Sequence, residues 1–438
     1  MTADPTALAQ PSPRRQLTAE ARAIVRFAKA MLSCGAETDR VRRGMDQIAA
    51  SLGIDRLQSQ LTLSEVTVTL FCQGRFRTQV GNVHAVAVNA DKLSQLELLT
   101  SQLPPRTTPT DIEGRIDAID ARDKLHAPWL QALATAVACT AVGFLNNAWA
   151  AELAAVFIGA FLGQLVKVWF GRIRLNVYLA TALAALVAAA VFWGVATLVG
   201  GLAHSPAHSA GLVAVLIFLV PGFPLVNALL DLIKTDMTAG LSRLAYAFMI
   251  LGSASIALML AAGLGLASTT ALPAPPIGAA PWWLLALAAS GVGVAGWAVM
   301  FNASRRGALL SGLIGLAGNA VRLVLVQIAG QPIWLGAGVG CLLIGVAASL
   351  LARPNHLSAV TLCVPAALIM VPGVPAYRAL TMFASGDITG MAGNAATAIF
   401  TIVAMAIGLS IARVLSDQDW ILDARPSTSE ALDDASGQ

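Results

Sequence analysis

Two copies of Val-Pro-Gly-x-Pro, each inside an apolar run long enough to cross a bilayer, constrain this chain more than any other feature. Val220-Pro221-Gly222-Phe223-Pro224 is followed by Asp236-Met237-Thr238, and Val371-Pro372-Gly373-Val374-Pro375 by Asp387-Ile388-Thr389, with one constant offset between the copies. Two prolines three apart remove two backbone donors and disturb the carbonyls four residues earlier. Those carbonyls are Ile217 and Val220 in the first copy, Leu368 and Val371 in the second. A break facing lipid would leave polar groups unsatisfied, so breaks survive only where protein buries them or where they line a wet cavity. Paired broken segments at matching positions of two halves point to a transporter's substrate site. The plainer reading is two proline-kinked helices that share a packing solution. Duplication with a trailing Asp-x-Thr weighs against it.

Of 438 residues, 57% are hydrophobic and 12% charged, against about 25% charged in soluble domains. The expected class is therefore an integral membrane protein. The net charge of +4 does not imply nucleic acid, because the basic residues form no basic patch interleaved with aromatics. Cys34, Cys72, Cys139, Cys341 and Cys363 are far apart, with no Cys-x-x-Cys and no histidine pair beside them. Neither a metal nor a cofactor is expected, and the thiols read as small buried hydrophobes. Residues 1–30 contain no run of signal-peptide length, so the N-terminus is expected to stay in the cytoplasm.

Residues 1–16 read as a disordered tail and 17–125 as a cytoplasmic α/β domain. Ile24, Phe27, Ala28, Met31 and Leu32 recur at helical spacing, and a second helix runs from about Thr38 to a stop at Gly53. Val66–Phe71 alternates like a strand, Phe76–Val80 can pair with it across Cys72-Gln73-Gly74-Arg75, and Val83–Val88 reads as a further strand. Two polar helices follow, Asp91–Leu103 and Thr110–Asp123. Within Cys34-Gly35-Ala36-Glu37-Thr38-Asp39-Arg40-Val41, the acids and Arg40 are compact enough for chemistry. Thr38 or Asp39 also makes an ordinary helix N-cap, which is the favoured reading. No Gly-x-Ser-x-Gly, Walker-type or zinc motif is present.

From Pro128 to Leu415 the chain divides into ten apolar segments, at 128–146, 150–170, 176–199, 210–233, 241–267, 282–302, 308–329, 333–352, 357–382 and 392–415. With the N-terminus inside, the inner connections carry Arg172, Arg174, Lys234, Arg243, Arg305, Arg306, Arg353 and Arg413. The outer ones, 204–209 and 268–280, carry no Lys or Arg. This is a positive-inside pattern with both termini cytoplasmic, as in a multi-pass protein of the bacterial inner membrane. The spans fall into two groups of five, 128–267 and 282–415, each with the broken segment fourth, and 416–438 is expected to be a disordered cytoplasmic tail. An odd number per group inverts the second relative to the first. A second echo supports duplication: Gly163-Gln164 with Lys167 resembles Gly318-Asn319 with Arg322. Gly159-x-x-x-Gly163 and Gly336-x-x-x-Gly340 read as packing faces.

Only Glu152, Asp231, Asp236 and Asp387 are acidic between Pro128 and Leu415. Asp236 and Asp387 are open between helix caps and gates. Asp231 lies two turns beyond Pro224 inside an apolar run, and its counterpart is Met382. An ionisable group there is costly unless paired or wet. Lys167, Arg322 and Arg378 are its candidate partners, with an ion pair of purely structural role as the alternative to ion coupling.

These residues resemble those of the threonine/serine exporter family. The resemblance rests on Cys34-Gly35-Ala36-Glu37-Thr38-x-Arg40-Val41, on Val220-Pro221-Gly222-x-Pro224 with Asn227, Asp231 and Asp236, and on Val371-Pro372-Gly373 with Tyr377-Arg378 and Asp387. It covers Leu17 to about Leu415: a soluble domain with five spans, then five more. It implies efflux of small polar amino acids driven by the proton motive force, by an α-helical protein with no enzymatic role. Some split relatives resemble dicarboxylate exporters, which leaves that substrate class as an alternative. A membrane-tethered enzyme using the N-terminal domain is the rival class, although an anchor needs no duplicated broken helices. The partners expected are the solute, protons and lipid, with self-association into a homo-oligomer left open.

A broken helix offers freed N–H groups after the break and freed carbonyls before it. The solute is therefore expected between the breaks made by Pro221, Pro224, Pro372 and Pro375. Backbone at Gly222, Phe223 and Gly373 would take its carboxylate, and the carbonyls of Ile217 and Leu368 its ammonium. Asn227 and Arg378 would add side-chain contacts, and Asp231 would carry the proton.

Overall fold

The computed structural model describes residues 13–83, 87–148, 150–200, 209–263 and 279–416. The outer connections at 204–208 and 268–278, the tail from 417 and most of the N-terminal tail lie outside them. Two compact units form, one from the residues up to 87 together with 95–123, the other from 88–94 and the chain beyond 124.

In the first unit, α1 (Pro13–Ser33) and α2 (Thr38–Leu52) are followed by β1 (Arg56–Leu61), β2 (Glu65–Cys72) and β3 (Arg75–Asn82), an antiparallel sheet in the order β1-β2-β3. Ile24, Phe27, Ala28, Met31 and Leu32 of α1 and Val41, Met45 and Ile48 of α2 are buried, as the helical spacing predicts. Beneath them lie Val66, Val68 and Leu70, alternate residues of β2. Each of the larger of these side chains contributes about 1.5–3 kcal/mol by leaving water. Gly53 ends α2 at φ 73°, with its N–H on the last-turn carbonyls. Gln73 and Gly74, at φ 49° and 73°, close the β2–β3 hairpin as the two positive-φ residues of a type I′ turn.

Two strand assignments change. Arg56–Leu61 is a strand that the alternation test misses, because an edge strand with polar residues in exposed positions carries no β-branched signature. Val83 and Ala87–Asn89 are not in a strand, and residues 84–86 lie outside the described part. α3 (Ala90–Ser101) and α4 (Pro109–Asp120) follow, α4 opened by a capping box of Thr108 and Asp111.

Among the described residues, every regular element of the second unit is a helix. Its first half comprises α5 (Pro128–Leu145), α6 (Ala150–Arg172), α7 (Val177–Gly200), α8 (Ser209–Leu216), α9 (Gly222–Ile233) and α10 (Met237–Gly263). Its second half comprises α11 (Ala279–Met300), α12 (Arg305–Leu323), α13 (Ile333–Ala352), α14 (Ala359–Leu368), α15 (Gly373–Ala384) and α16 (Ile388–Ser416). Among the described residues, eight single helices are long and apolar enough to cross a membrane. The pairs α8–α9 and α14–α15 are bent by 69° and 49° at the Val-Pro-Gly-x-Pro sequences, and counting each as one span gives ten.

The two halves repeat each other in detail. Asn147 after α5 and Asn302 after α11 adopt φ 63° and 62°, and Thr235 after α9 and Gly386 after α15 adopt φ 62° and 81°. The N–H of Asp236 donates to the Asp231 carbonyl and that of Asp387 to the Met382 carbonyl, both at 2.9 Å. Packing repeats as well. α6 lies on α7 as α12 lies on α13, α5 on α8 as α11 on α14, and α7 on α10 as α13 on α16. Between halves, α9 meets α14 as α15 meets α8, α10 meets α15 as α16 meets α9, and α5 meets α11. Exchanging the halves leaves this set of contacts unchanged. Glycines permit the closest approaches: a Cβ on Gly159 would lie 2.8 Å from the Ala188 carbonyl oxygen, and one on Gly340 would lie 2.9 Å from that of Gly318.

Candidate functional site at the broken helices

Both breaks are the same turn. Pro221 (φ −80°, ψ 66°) and Pro372 (φ −77°, ψ 61°) occupy the centre of an inverse γ-turn. Gly222 N–H donates to the Val220 carbonyl at 2.9 Å and Gly373 N–H to the Val371 carbonyl at 2.8 Å. Pro224 and Pro375 then fall in the first turns of α9 and α15, where a missing N–H removes no intrahelical bond. Spacing the prolines three apart thus puts one in the turn and one in the helix start. The carbonyls expected to be free are occupied: Ile217 accepts from Val220 N–H at 3.1 Å and Leu368 from Val371 N–H at 3.2 Å. A short 3-10 turn, Ile217–Leu219, re-satisfies the backbone in the first half.

Each break packs against the other. A Cβ on Gly222 would overlap the Leu368 side chain, while a Cβ on Gly373 would sit 3.1 Å from Val213 Cγ1 and 3.6 Å from Ile217 Cδ1. Since Gly222 corresponds to Gly373 and Ile217 to Leu368, one contact is the other with the halves exchanged. Phe223 and Asn227 of α9 are buried, and Arg378 of α15 is half-buried with no ion pair to a described residue.

Asp231 has a partner that sequence reasoning assigned elsewhere. Its Oδ2 lies 3.1 Å from Nε of Arg243, and both side chains are only 3% exposed. Arg243 sits in the second turn of α10, inside a span and not in the inner connection where its charge was counted. The pair forms because the short turn at Lys234–Asp236 lays the end of α9 beside the start of α10. The candidate partners Lys167, Arg322 and Arg378 are otherwise disposed. Lys167 Nζ lies 5.7 Å from the centroid of the Phe218 ring, just ahead of the first break. Arg322 Nε donates to Asn319 Oδ1 at 2.7 Å. In the second half, the Asp231 and Arg243 positions are Met382 and Asn394, whose Nδ2 lies 3.3 Å from Met382 Sδ. Asp387 Oδ1 accepts from Gly390 N–H at 2.8 Å and so caps α16; Asp236 occupies the same place before α10.

In the first unit, Glu37 is the N-cap of α2 by its extended backbone, one residue earlier than expected, and its side chain makes no capping bond. Arg40 Nε lies 3.5 Å from the buried Glu37 and its Nη1 donates to Glu97 at 2.9 Å, while Asp39 pairs with Arg43. This is an ion-pair network. Among the described residues, no group of three or more His, Cys, Asp or Glu side chains gathers as a metal site would. A groove of about 720 Å³ between α5 and α11, lined by Leu130, Leu133, Val137, Val292 and Val299, contains none of the residues at the breaks.

Comparison with known proteins decides the family. Residues 22–265 match a family model described as "Putative threonine/serine exporter", and residues 286–415 match a second described as "Threonine/Serine exporter, ThrE". The chain belongs to the threonine/serine exporter family. Two curated proteins, each named "Probable succinate transporter subunit YjjP", are 24% identical. The one from Klebsiella aerogenes aligns over 55% of this chain and 94% of its own length, and that from Escherichia coli K12 over 53% and 89%. No solved structure matches. The exporter-family match thus covers most of the first unit, both broken helices and the ion pair of Asp231 with Arg243. The matched models and both named relatives carry exporter or transporter names.

Proposed function

We propose that the chain is a secondary exporter of threonine and serine, driven by the proton motive force and built as two inverted five-span halves. The observation that carries this reading is the reciprocal packing of the breaks, Gly222 on Leu368 and Gly373 on Ile217. Contacts that survive exchange of their partners are what a two-fold axis produces. Five spans per half put the second half upside down, and transporters of this architecture bind solute at the interface between halves. The solute site lies where the breaks meet, formed by Pro221, Gly222, Phe223, Pro224 and Asn227 with Pro372, Gly373, Pro375 and Arg378. The leucine and isoleucine that fill it here close it, and they withdraw as the halves tilt. Asp231 carries the proton, held by Arg243, with Asp236 and Asp387 at the ends of the moving hairpins.

Liposomes containing the purified full-length chain test this. Labelled threonine or serine is expected to move when a pH gradient is imposed and to stop when the gradient is collapsed. Movement indifferent to the gradient would remove the proton coupling, and no movement of either amino acid would remove the substrate. A dicarboxylate is the second reading. The relatives are named as succinate transporter subunits, and Lys167, Arg322 and Arg378 carry positive charge in the spans with no ion pair to a described carboxylate. Succinate run alongside the amino acids separates the two.

A further inference from the structure

The likeness between Gln164 with Lys167 and Asn319 with Arg322 gains a third member in three dimensions. In the second half, Asn319 Nδ2 of α12 donates to Ser290 Oγ of α11 at 2.7 Å, and Asn319 Oδ1 accepts from Arg322 Nε at 2.7 Å. Ser290 Oγ in turn donates to the Ala286 carbonyl at 2.6 Å. The same offset leads to Thr135 of α5 with Gln164 and Lys167 of α6. Thr135 Oγ1 donates to the Gln131 carbonyl at 2.7 Å, reproducing the Ser290 bond to Ala286.

There the likeness ends. Gln164 is 7% exposed, and its enclosed Oε1 has no hydrogen-bond partner. Lys167 makes no ion pair with a described residue and points its ammonium at the face of Phe218. Gly163 lets that ring come close, since a Cβ there would lie 3.0 Å from Phe218 Cζ. Leaving an enclosed amide oxygen unpaired forfeits its hydration with nothing in return, and native proteins keep few such groups. Along the α5–α6 seam, beside the turn that precedes the first break, an acceptor and a cation thus keep hydrogen-bonding capacity that their counterparts use on each other.

We infer that Thr135, Gln164 and Lys167 form a binding site for the carboxylate-bearing end of the solute. Ser290, Asn319 and Arg322 are the same site held shut by its own hydrogen bonds, and the halves exchange these states as the protein alternates. The inference rests on the exporter reading and adds to it the residues and the ligand class. The Lys167 ammonium pairs with a carboxylate, and an adjacent amine or hydroxyl of the solute donates to Gln164 Oε1. The aromatic ring of Phe218 beneath the ammonium holds it in place until the carboxylate arrives.

Sided thiol modification tests this. In a full-length chain stripped of its five cysteines, Gln164→Cys or Thr135→Cys, and separately Asn319→Cys or Ser290→Cys, meet a membrane-impermeant anionic methanethiosulfonate in cells and in inverted vesicles. The first pair is expected to react from one side of the membrane and the second from the other. Saturating threonine is expected to slow modification about tenfold and succinate, which offers a carboxylate to Lys167 but no donor, less, with Lys167→Met abolishing protection by either at position 164. Reaction of all positions from one side, reaction of none, or modification that neither solute slows would overturn the inference. If the cysteine-free chain does not insert, Lys167→Met in the native background is read by binding of labelled threonine and succinate. A loss of about tenfold supports the site and unchanged affinity overturns it. Labelling reads access and not turnover, so sided labelling in a chain that moves no solute would sink the exporter reading and leave this site standing.

Discussion

The two broken hairpins share a backbone and differ in charge. Each has the same inverse γ-turn, the same proline in its first helical turn and the same left-handed residue at its tip. Where α9 meets α10, however, the first half buries Asp231 against Arg243, and where α15 meets α16 the second half sets Met382 against Asn394. The Met382–Asn394 pair shows that the same hairpin backbone forms without an ion pair at these two positions. A buried ion pair is also a poor way to hold helices together, since desolvating both ions offsets most of their attraction. On the proposed reading the charge in the first half serves the transport step, and the second half is the internal control.

The largest effect follows directly from that control. Asp231→Asn leaves Arg243 buried without its counter-ion and is expected to cost about 3–5 kcal/mol, read as a lowered unfolding midpoint in detergent. Asp231→Met with Arg243→Asn copies the second half's pair into the first. That double variant is expected to recover stability to within about 1–2 kcal/mol of wild type while losing gradient-driven transport. Gradient-driven transport at the wild-type rate in the double variant would make the ion pair structural after all.

A middle-sized effect separates the two glycines at the breaks. Gly222→Ala drives a methyl into Leu368, whereas Gly373→Ala meets Val213 at 3.1 Å, a contact that a small shift relieves. The first is expected to cost about 1–3 kcal/mol as overpacking and the second clearly less. In a Leu368→Ala background, which carries its own cavity cost, Gly222→Ala is expected to cost clearly less than in wild type, because the atoms in conflict are gone. Equal costs for both glycines would mean that the breaks do not meet in solution as they do here.

The sequence reveals much of this arrangement because its signals are local. Apolar run length locates the spans, and the Pro-Gly-x-Pro spacing identifies both breaks. Glycines at 53 and 74 mark a helix stop and a hairpin turn by φ alone. What stays hidden depends on partners far along the chain or on geometry that spacing does not encode. Arg243 looked like a topology marker because its charge is equally useful in a loop, and only the tight turn at Lys234–Asp236 brings it to Asp231. The carbonyls of Ile217 and Leu368 looked free because proline removes a donor, but a γ-turn and a 3-10 turn find new ones. Arg56–Leu61 lacked a strand pattern because an edge position asks little of its side chains.

The smallest effect concerns the hairpin tips, where the halves use different residues for one backbone shape. Thr235 adopts φ 62° and its counterpart Gly386 adopts φ 81°. A β-branched residue in the left-handed region is strained by about 1–2 kcal/mol, while glycine is not. Thr235 recovers a little through its hydroxyl, which donates to the Lys234 carbonyl at 2.6 Å. Thr235→Gly removes the strain and that bond, and adds backbone freedom to the unfolded chain. The expected net gain is therefore about 0.5–1 kcal/mol, seen as a higher unfolding midpoint. Gly386→Thr is expected to lose about 1–2 kcal/mol, since it imposes on the second half the strain the first half carries. If Thr235→Gly lowered the midpoint instead, the tips would not be equivalent, and the strain would have to be matched by a contact that the second half lacks. Strain beside the hairpin that buries the Asp231–Arg243 pair is where a hinge for the moving segment would be stored. A stabilised Thr235→Gly chain that also transports more slowly would locate that hinge in the first half.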